Sequence, residues 1–120
     1  MLDLDGLQVA YLGVALAHYL DLETGDIIDQ PLDAEPPGDP SRYLRVPART
    51  AESEVEDRRL FVDTRDAAPM RDQLAALVTD GPAFRRALTA DRKVERAFFN
   101  FKNDQATRAI QGWLEEQGLE

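Results

Sequence analysis

Three groups of side chains in this sequence have types and spacings that could do chemistry: a lone histidine, His18, a run of carboxylates at Asp21, Glu23, Asp26 and Asp29, and a cationic stretch with an aromatic inside it. His18 is the only histidine and there is no cysteine. A Ser-His-Asp triad would therefore have to use His18, and neither a multi-histidine nor a cysteine-ligated metal centre can be assembled within one chain. No Ser or Cys pattern accompanies His18, so it reads as a hydrogen-bonded structural residue at the core margin. A hard cation needs roughly six or more converging oxygens, whereas strand alternation sends Asp21 and Asp29 to the face opposite Leu20 and Glu23 into a turn. The carboxylates are expected to form a solvated turn with no metal. Neither phosphate-binding glycine motif occurs around Gly25 or Gly81. The expectation is a protein without catalytic residues or cofactors, and not an enzyme.

The cationic stretch is more pointed. Residues 82–108 hold Arg85, Arg86, Arg92, Lys93, Arg96, Lys102 and Arg108 against Asp91, Glu95 and Asp104. On a helix whose buried face is taken by Val94, Ala97, Phe98 and Phe101, Phe99 is left out of register and neighbours Arg92, Glu95, Arg96 and Lys102. Such a set can grip an acidic protein surface with Phe99 as anchor, or bind nucleic-acid phosphates while the ring stacks a base. It can also pair with the acidic front half of the chain, with Phe99 packed under another helix, and bind nothing.

Charge sets the background. The 120 residues carry 23 acids and 14 bases, a formal charge of −9, with 43% apolar residues. A chain of this length buries roughly 65% of its unfolded surface, enough for one modest core. Residues 1–60 hold 13 acids and 5 bases, residues 61–120 hold 10 acids and 9 bases. The acidic front admits a further reading, a decoy that mimics DNA through the acids of 21–39. The first residues carry acids and no Lys or Arg, unlike a secretory leader, and the longest apolar-rich stretch, 9–17, is far below membrane-spanning length. A cytoplasmic protein without a membrane partner is expected.

The elements that must position these groups follow from periodicity. Asp3 or Asp5 can cap a helix with Leu4, Leu7, Tyr11 and Val14 at three- and four-residue steps. Residues 16–30 then read as a hairpin in which Gly25 closes a type I turn with a G1 bulge, pairing Leu22 with Asp26, Leu20 with Ile28 and Tyr19 with Asp29, and placing Leu20, Leu22 and Ile28 on one face. Residues 33–41, with three prolines, form an exposed loop, and 42–47 a third, edge strand ended by Pro47. Thr50 caps 51–63, although Leu60-Phe61-Val62 fits a strand equally well. A helix follows Asp66 with Met70, Leu74, Leu77 and Val78 on one face and Pro69 in its first turn. Gly81-Pro82 opens a short helix, Asp91 caps another, and Asp104 caps a last one that stops at Gly118 in a Schellman turn, with Leu119 folding back on Leu114. The fold class is α+β: an N-terminal helix, a small three-stranded antiparallel sheet, then four or five short helices. It is read as one domain over 1–120, with helix and sheet in 1–48 and a helical part in 50–118.

Four segments together resemble a bacterial family known as uncharacterised protein family 158. They are Tyr19-Leu20-Asp21-Leu22-Glu23-Thr24-Gly25-Asp26, Arg42-Tyr43-Leu44, Gly81-Pro82-Ala83-Phe84-Arg85-Arg86 and Trp113-Leu114-Glu115-Glu116-Gln117-Gly118. The resemblance covers nearly the whole chain. It departs from the family picture at His18, where a second aromatic is usual, and in the shortened acidic middle. It implies a one-domain bacterial cytosolic protein and brings no activity, cofactor or catalytic residue. The combined expectation is a binding or regulatory module that meets a protein partner through 82–102, using Arg85, Arg86, Arg92, Lys93, Arg96, Phe99 and Lys102. Nucleic-acid binding by the same face is the alternative.

Overall fold

The computed structural model describes residues 2–119 and has the expected α+β architecture. Described residues up to Arg49, together with those from Ala106 onward, form one compact unit, and Thr50–Gln105 forms another. The helical part 50–118 is thus divided, its end grouping with the sheet-bearing residues.

In the first unit, helix α1 (Leu4–Leu12) starts at Asp3, whose carboxylate accepts the Gly6 N–H at 2.9 Å. Leu7 and Ala10 are buried, and the helix stops at Gly13, leaving Val14 outside it. Strands β1 (Ala17–Asp21), β2 (Ile27–Gln30) and β3 (Tyr43–Arg45) form an antiparallel sheet in the order β2-β1-β3. The central position of β1 explains why Ala17, Tyr19, Leu20 and Asp21 are all buried, since an inner strand can be covered on both faces.

The hairpin register differs by one residue from the expected one: Leu20 faces Ile27, Tyr19 faces Ile28 and His18 faces Asp29. The loop is one residue longer than a three-residue bulged turn. Asp21 donates its N–H to the Asp26 carbonyl and accepts the Gly25 N–H on its own, so residues 22–25 make a four-residue loop. Gly25 still supplies the left-handed conformation, with φ 81°. As a result Ile27, not Ile28, packs with buried Leu20, and Leu22 is 41% exposed. Gly25→Ala is expected to lower the denaturation midpoint by the equivalent of about 1–2 kcal/mol, because a side chain is strained at that φ. Gly112→Ala, in a helix and with open space at its Cβ, should instead raise stability by up to about 1 kcal/mol. Equal effects of the two would contradict the turn geometry.

The loop over 33–41 has no regular structure and is mostly exposed. Its end is tied down by Asp39, whose carbonyl accepts the Arg42 and Tyr43 N–H groups. The Ser41 N–H and hydroxyl, both donating to the Asp39 carboxylate, hold that carboxyl below its ordinary range. Leu7, Leu20 and Val46 pack with Ile110 and Leu114 from the last helix. That helix closes as expected: Gly118 has φ 71°, its N–H reaches the Glu115 carbonyl, the Leu119 N–H reaches Leu114, and Leu119 packs on this core.

In the second unit, α2 (Ala51–Val62) begins with a reciprocal capping box between Thr50 and Ser53. Leu60-Phe61-Val62 is therefore helical, with Phe61 and Val62 inward. The single helix expected after Asp66 is instead a 3₁₀ turn (Arg65–Met70) followed by the short α3 (Arg71–Ala75). Pro69 lies inside the 3₁₀ turn, where it can donate no backbone hydrogen bond. Arg71 satisfies the carbonyls left at the preceding helix end, donating to Val62 at 2.8 Å and Thr64 at 2.6 Å. Helix α4 (Gly81–Leu88) follows, and Arg58 packs over Gly81 while donating to the Val78 carbonyl.

The two helices expected after Asp91 are one, α5 (Arg92–Glu116). Asp104 is inside it and caps nothing. No Gly or Pro interrupts residues 99–106, and an interior Asp costs less than opening a helix and leaving backbone groups unpaired. The buried row Val94, Phe98, Ala106, Ile110 and Leu114 keeps to four-residue steps, with Lys102 in the gap. That gap is what resembled a helix end. Val94 and Phe98 belong to the core of the second unit, and Ile110 and Leu114 to that of the first.

Candidate interaction surface

The cationic residues are placed by the apolar residues beside them. In α4, Asp80 accepts the Ala83 N–H at 3.1 Å, and Phe84 and Leu88 turn inward, which leaves Arg85 and Arg86 outward and exposed. In α5, Asp91 caps the Lys93 and Val94 N–H groups. Val94 and Phe98 point into the core, where the Phe98 ring lies 5.2 Å from both Phe61 and Phe84. Rigid aromatic packing on the inner side therefore fixes which residues face out.

Arg92, Arg96 and Phe99 do come together: with Glu95 and Asn100 they line an open groove of about 350 Å³. Phe99 is 37% exposed, its ring 5.8 Å from Phe98, and Lys102 Nζ stands 5.7 Å from its centroid. Lys102 is half-buried, while Arg85, Arg86 and Lys93 are exposed outside the groove lining. Among the described residues, Arg85, Arg86, Arg92, Lys93 and Arg96 make no ion pair.

Of the hairpin carboxylates, Glu23, Asp26 and Asp29 are exposed as expected, and Asp21 is the exception. Asp21 is buried, 4% exposed, and receives Arg42 in a bidentate fork of 3.0 and 2.9 Å plus the Glu23 N–H at 2.9 Å. The Arg42 hydrogen bonds hold the Asp21 carboxyl well below the usual carboxylate range and push the Arg42 guanidinium up. Arg42 also meets Glu23 at 3.3 Å and lies over the Tyr43 ring. Sequence reasoning treated Arg42 only as part of a strand. The signal was an Asp immediately before a turn and an Arg at the entry of the next strand.

His18 is hydrogen-bonded on both ring nitrogens, Nδ1 to Asp29 at 2.7 Å and Nε2 to the Gly13 carbonyl at 2.9 Å. The open cleft beside it, about 460 Å³, is lined by Asp3, Val9, Ile27 and Asp29 among others. Among the described residues, no group of three or more His, Cys, Asp or Glu side chains could hold a metal ion, and no helix is long and apolar enough to cross a membrane. Comparison with protein-family models, curated proteins and solved structures finds no match.

Proposed function

We propose that this protein is a non-catalytic binding module that contacts an acidic surface of a protein partner through α4 and the first turns of α5. The supporting observation is five exposed cations without an ion pair among the described residues, Arg85, Arg86, Arg92, Lys93 and Arg96, two of which, Arg92 and Arg96, share a groove with the exposed Phe99. Unpaired arginines are prepared to form bidentate contacts with carboxylates, and an aromatic beside them supplies apolar contact area at little entropic cost. The exposed Phe99 ring among cations also favours nucleic acid as a second reading, since a base could stack there. A formal charge of −9 works against a long polyanion. The decoy reading is weakened because Asp21 and Asp29 are engaged by Arg42 and His18. The four segments resembling uncharacterised protein family 158 support placing the chain there, in the bacterial cytosol.

The test is capture from a lysate of the source organism, with and without nuclease, on the native chain and on Arg92→Glu/Arg96→Glu. The expected result is an acidic protein retained after nuclease and weakened at least about tenfold, some 1.4 kcal/mol, by the double reversal. Retention that is lost with nuclease and falls log-linearly with salt would favour nucleic acid. An unchanged set of partners on the variant would sink the role of this face.

A further inference from the structure

Resting on that reading, we infer that the partner presents an acidic α-helix, laid along α5 so that two carboxylates one turn apart meet Arg92 and Arg96 and an apolar side chain sits on Phe99. The groove lining is a single stripe: Arg92, Glu95, Arg96, Phe99 and Asn100 occupy the i, i+3, i+4, i+7 and i+8 positions over two turns of one helix. The arginines are separated by about 6 Å along the axis and Phe99 lies about 10 Å from Arg92. A second helix repeats its own side chains at the same spacing, so Glu or Asp at i and i+4 with Leu or Phe at i+7 can match all three contacts at once.

Charge complementarity selects an acidic occupant, because both arginines are exposed and without an ion pair among the described residues. Glu95, between them, sets the phase. A carboxylate displaced off the arginines meets it and is repelled, which disfavours acidic chains of arbitrary register. Lys102, close to the Phe99 ring, leaves the outer part of that ring as the apolar contact, and its 37% exposure is the area available.

The experiment uses the full chain, isotope-labelled, titrated with four probes in low salt and followed by amide chemical shifts. Two are helix-forming peptides of opposite polarity, Glu-x-x-x-Glu-x-x-Leu and Leu-x-x-Glu-x-x-x-Glu. A third has the same composition with central prolines, and the fourth is a single-stranded oligonucleotide. The expected result is saturable shifts centred on Arg92, Arg96, Phe99 and Asn100 with one helical probe, at least about tenfold tighter than the proline peptide. Phe99→Ala and Arg92→Glu/Arg96→Glu should each weaken it about tenfold or more while leaving the thermal transition in place. Equal binding of the proline peptide at the same residues overturns the helical partner and leaves the acidic-protein reading standing. Shifts with the oligonucleotide alone overturn both. No saturable shift with either helical probe also overturns the inference, whatever the lysate experiment returns.

Discussion

Replacing Phe84 by alanine is expected to lower stability by about 3–5 kcal/mol, a fall in Tm of roughly 10 °C or more. The ring is 1% exposed, packs 5.2 Å from Phe98, and shares its core with Phe61, Leu74, Leu88 and Val94. Helix α4 has only eight residues, too few to persist without that packing. The loss should therefore extend to Arg85 and Arg86, whose outward placement depends on Phe84 pointing in. Phe99→Ala is the contrasting change. Phe99 is 37% exposed, so stability should fall by no more than about 1–2 kcal/mol, well short of the Phe84 loss, while acidic-peptide binding falls. Thermal melts of the two variants beside the peptide titration separate a residue that holds the surface from one that touches the partner. A melt of Phe84→Ala within about 1 kcal/mol of the native chain would mean that α4 is not packed as described.

The cationic surface was legible in the sequence because α4 and α5 obey simple helical periodicity. Once Phe84, Leu88, Val94 and Phe98 are assigned inward, the outward positions of Arg85, Arg86, Arg92, Arg96 and Phe99 follow. Their freedom from ion pairs was not legible, since side chains distant in sequence decide it. The hairpin shows another limit. Both candidate turns put Gly25 in a left-handed conformation, so that glycine does not choose between a three- and a four-residue loop, and the Asp21 carboxylate in the observed loop meets Arg42, twenty-one residues away. Continuity of α5 was obscured for a related reason: local rules reward Asp104 as a cap, but two cores hold the buried residues on either side of it in one helix. Local pattern thus identified most of the elements, while their register and extent answer to contacts between residues far apart in sequence.

Asp21→Asn tests that long-range pairing, and its effect should depend on pH with a predictable sign. The asparagine can still accept the Glu23 N–H, but it turns an amide NH₂ towards one of the two Arg42 donors and leaves the guanidinium without its buried counter-charge. Near neutrality the variant should melt well below the native chain, and by more than Glu56→Ala, which removes an exposed ion pair with Arg59. The native Asp21 carboxyl titrates below its unfolded value, so its contribution is complete above the ordinary carboxylate range of about 4 and disappears as pH falls through the lower folded value. Arg42, shifted up, stays charged throughout. The Tm gap between native and variant chains should therefore hold from neutral pH to about 5 and close progressively below about 4. Taking the gap removes contributions common to both chains, such as that of the Asp39 carboxyl. Arg42→Gln should show the same closing gap, and the double variant should lose less than the two single losses together, because either change alone already breaks the fork. A gap that stays constant down to about pH 2, or strictly additive losses, would show that Asp21 and Arg42 do not act as a pair. The acidic helical probe should still bind the folded Asp21→Asn chain with native affinity, since every residue of the groove belongs to Thr50–Gln105 and Asp21 does not.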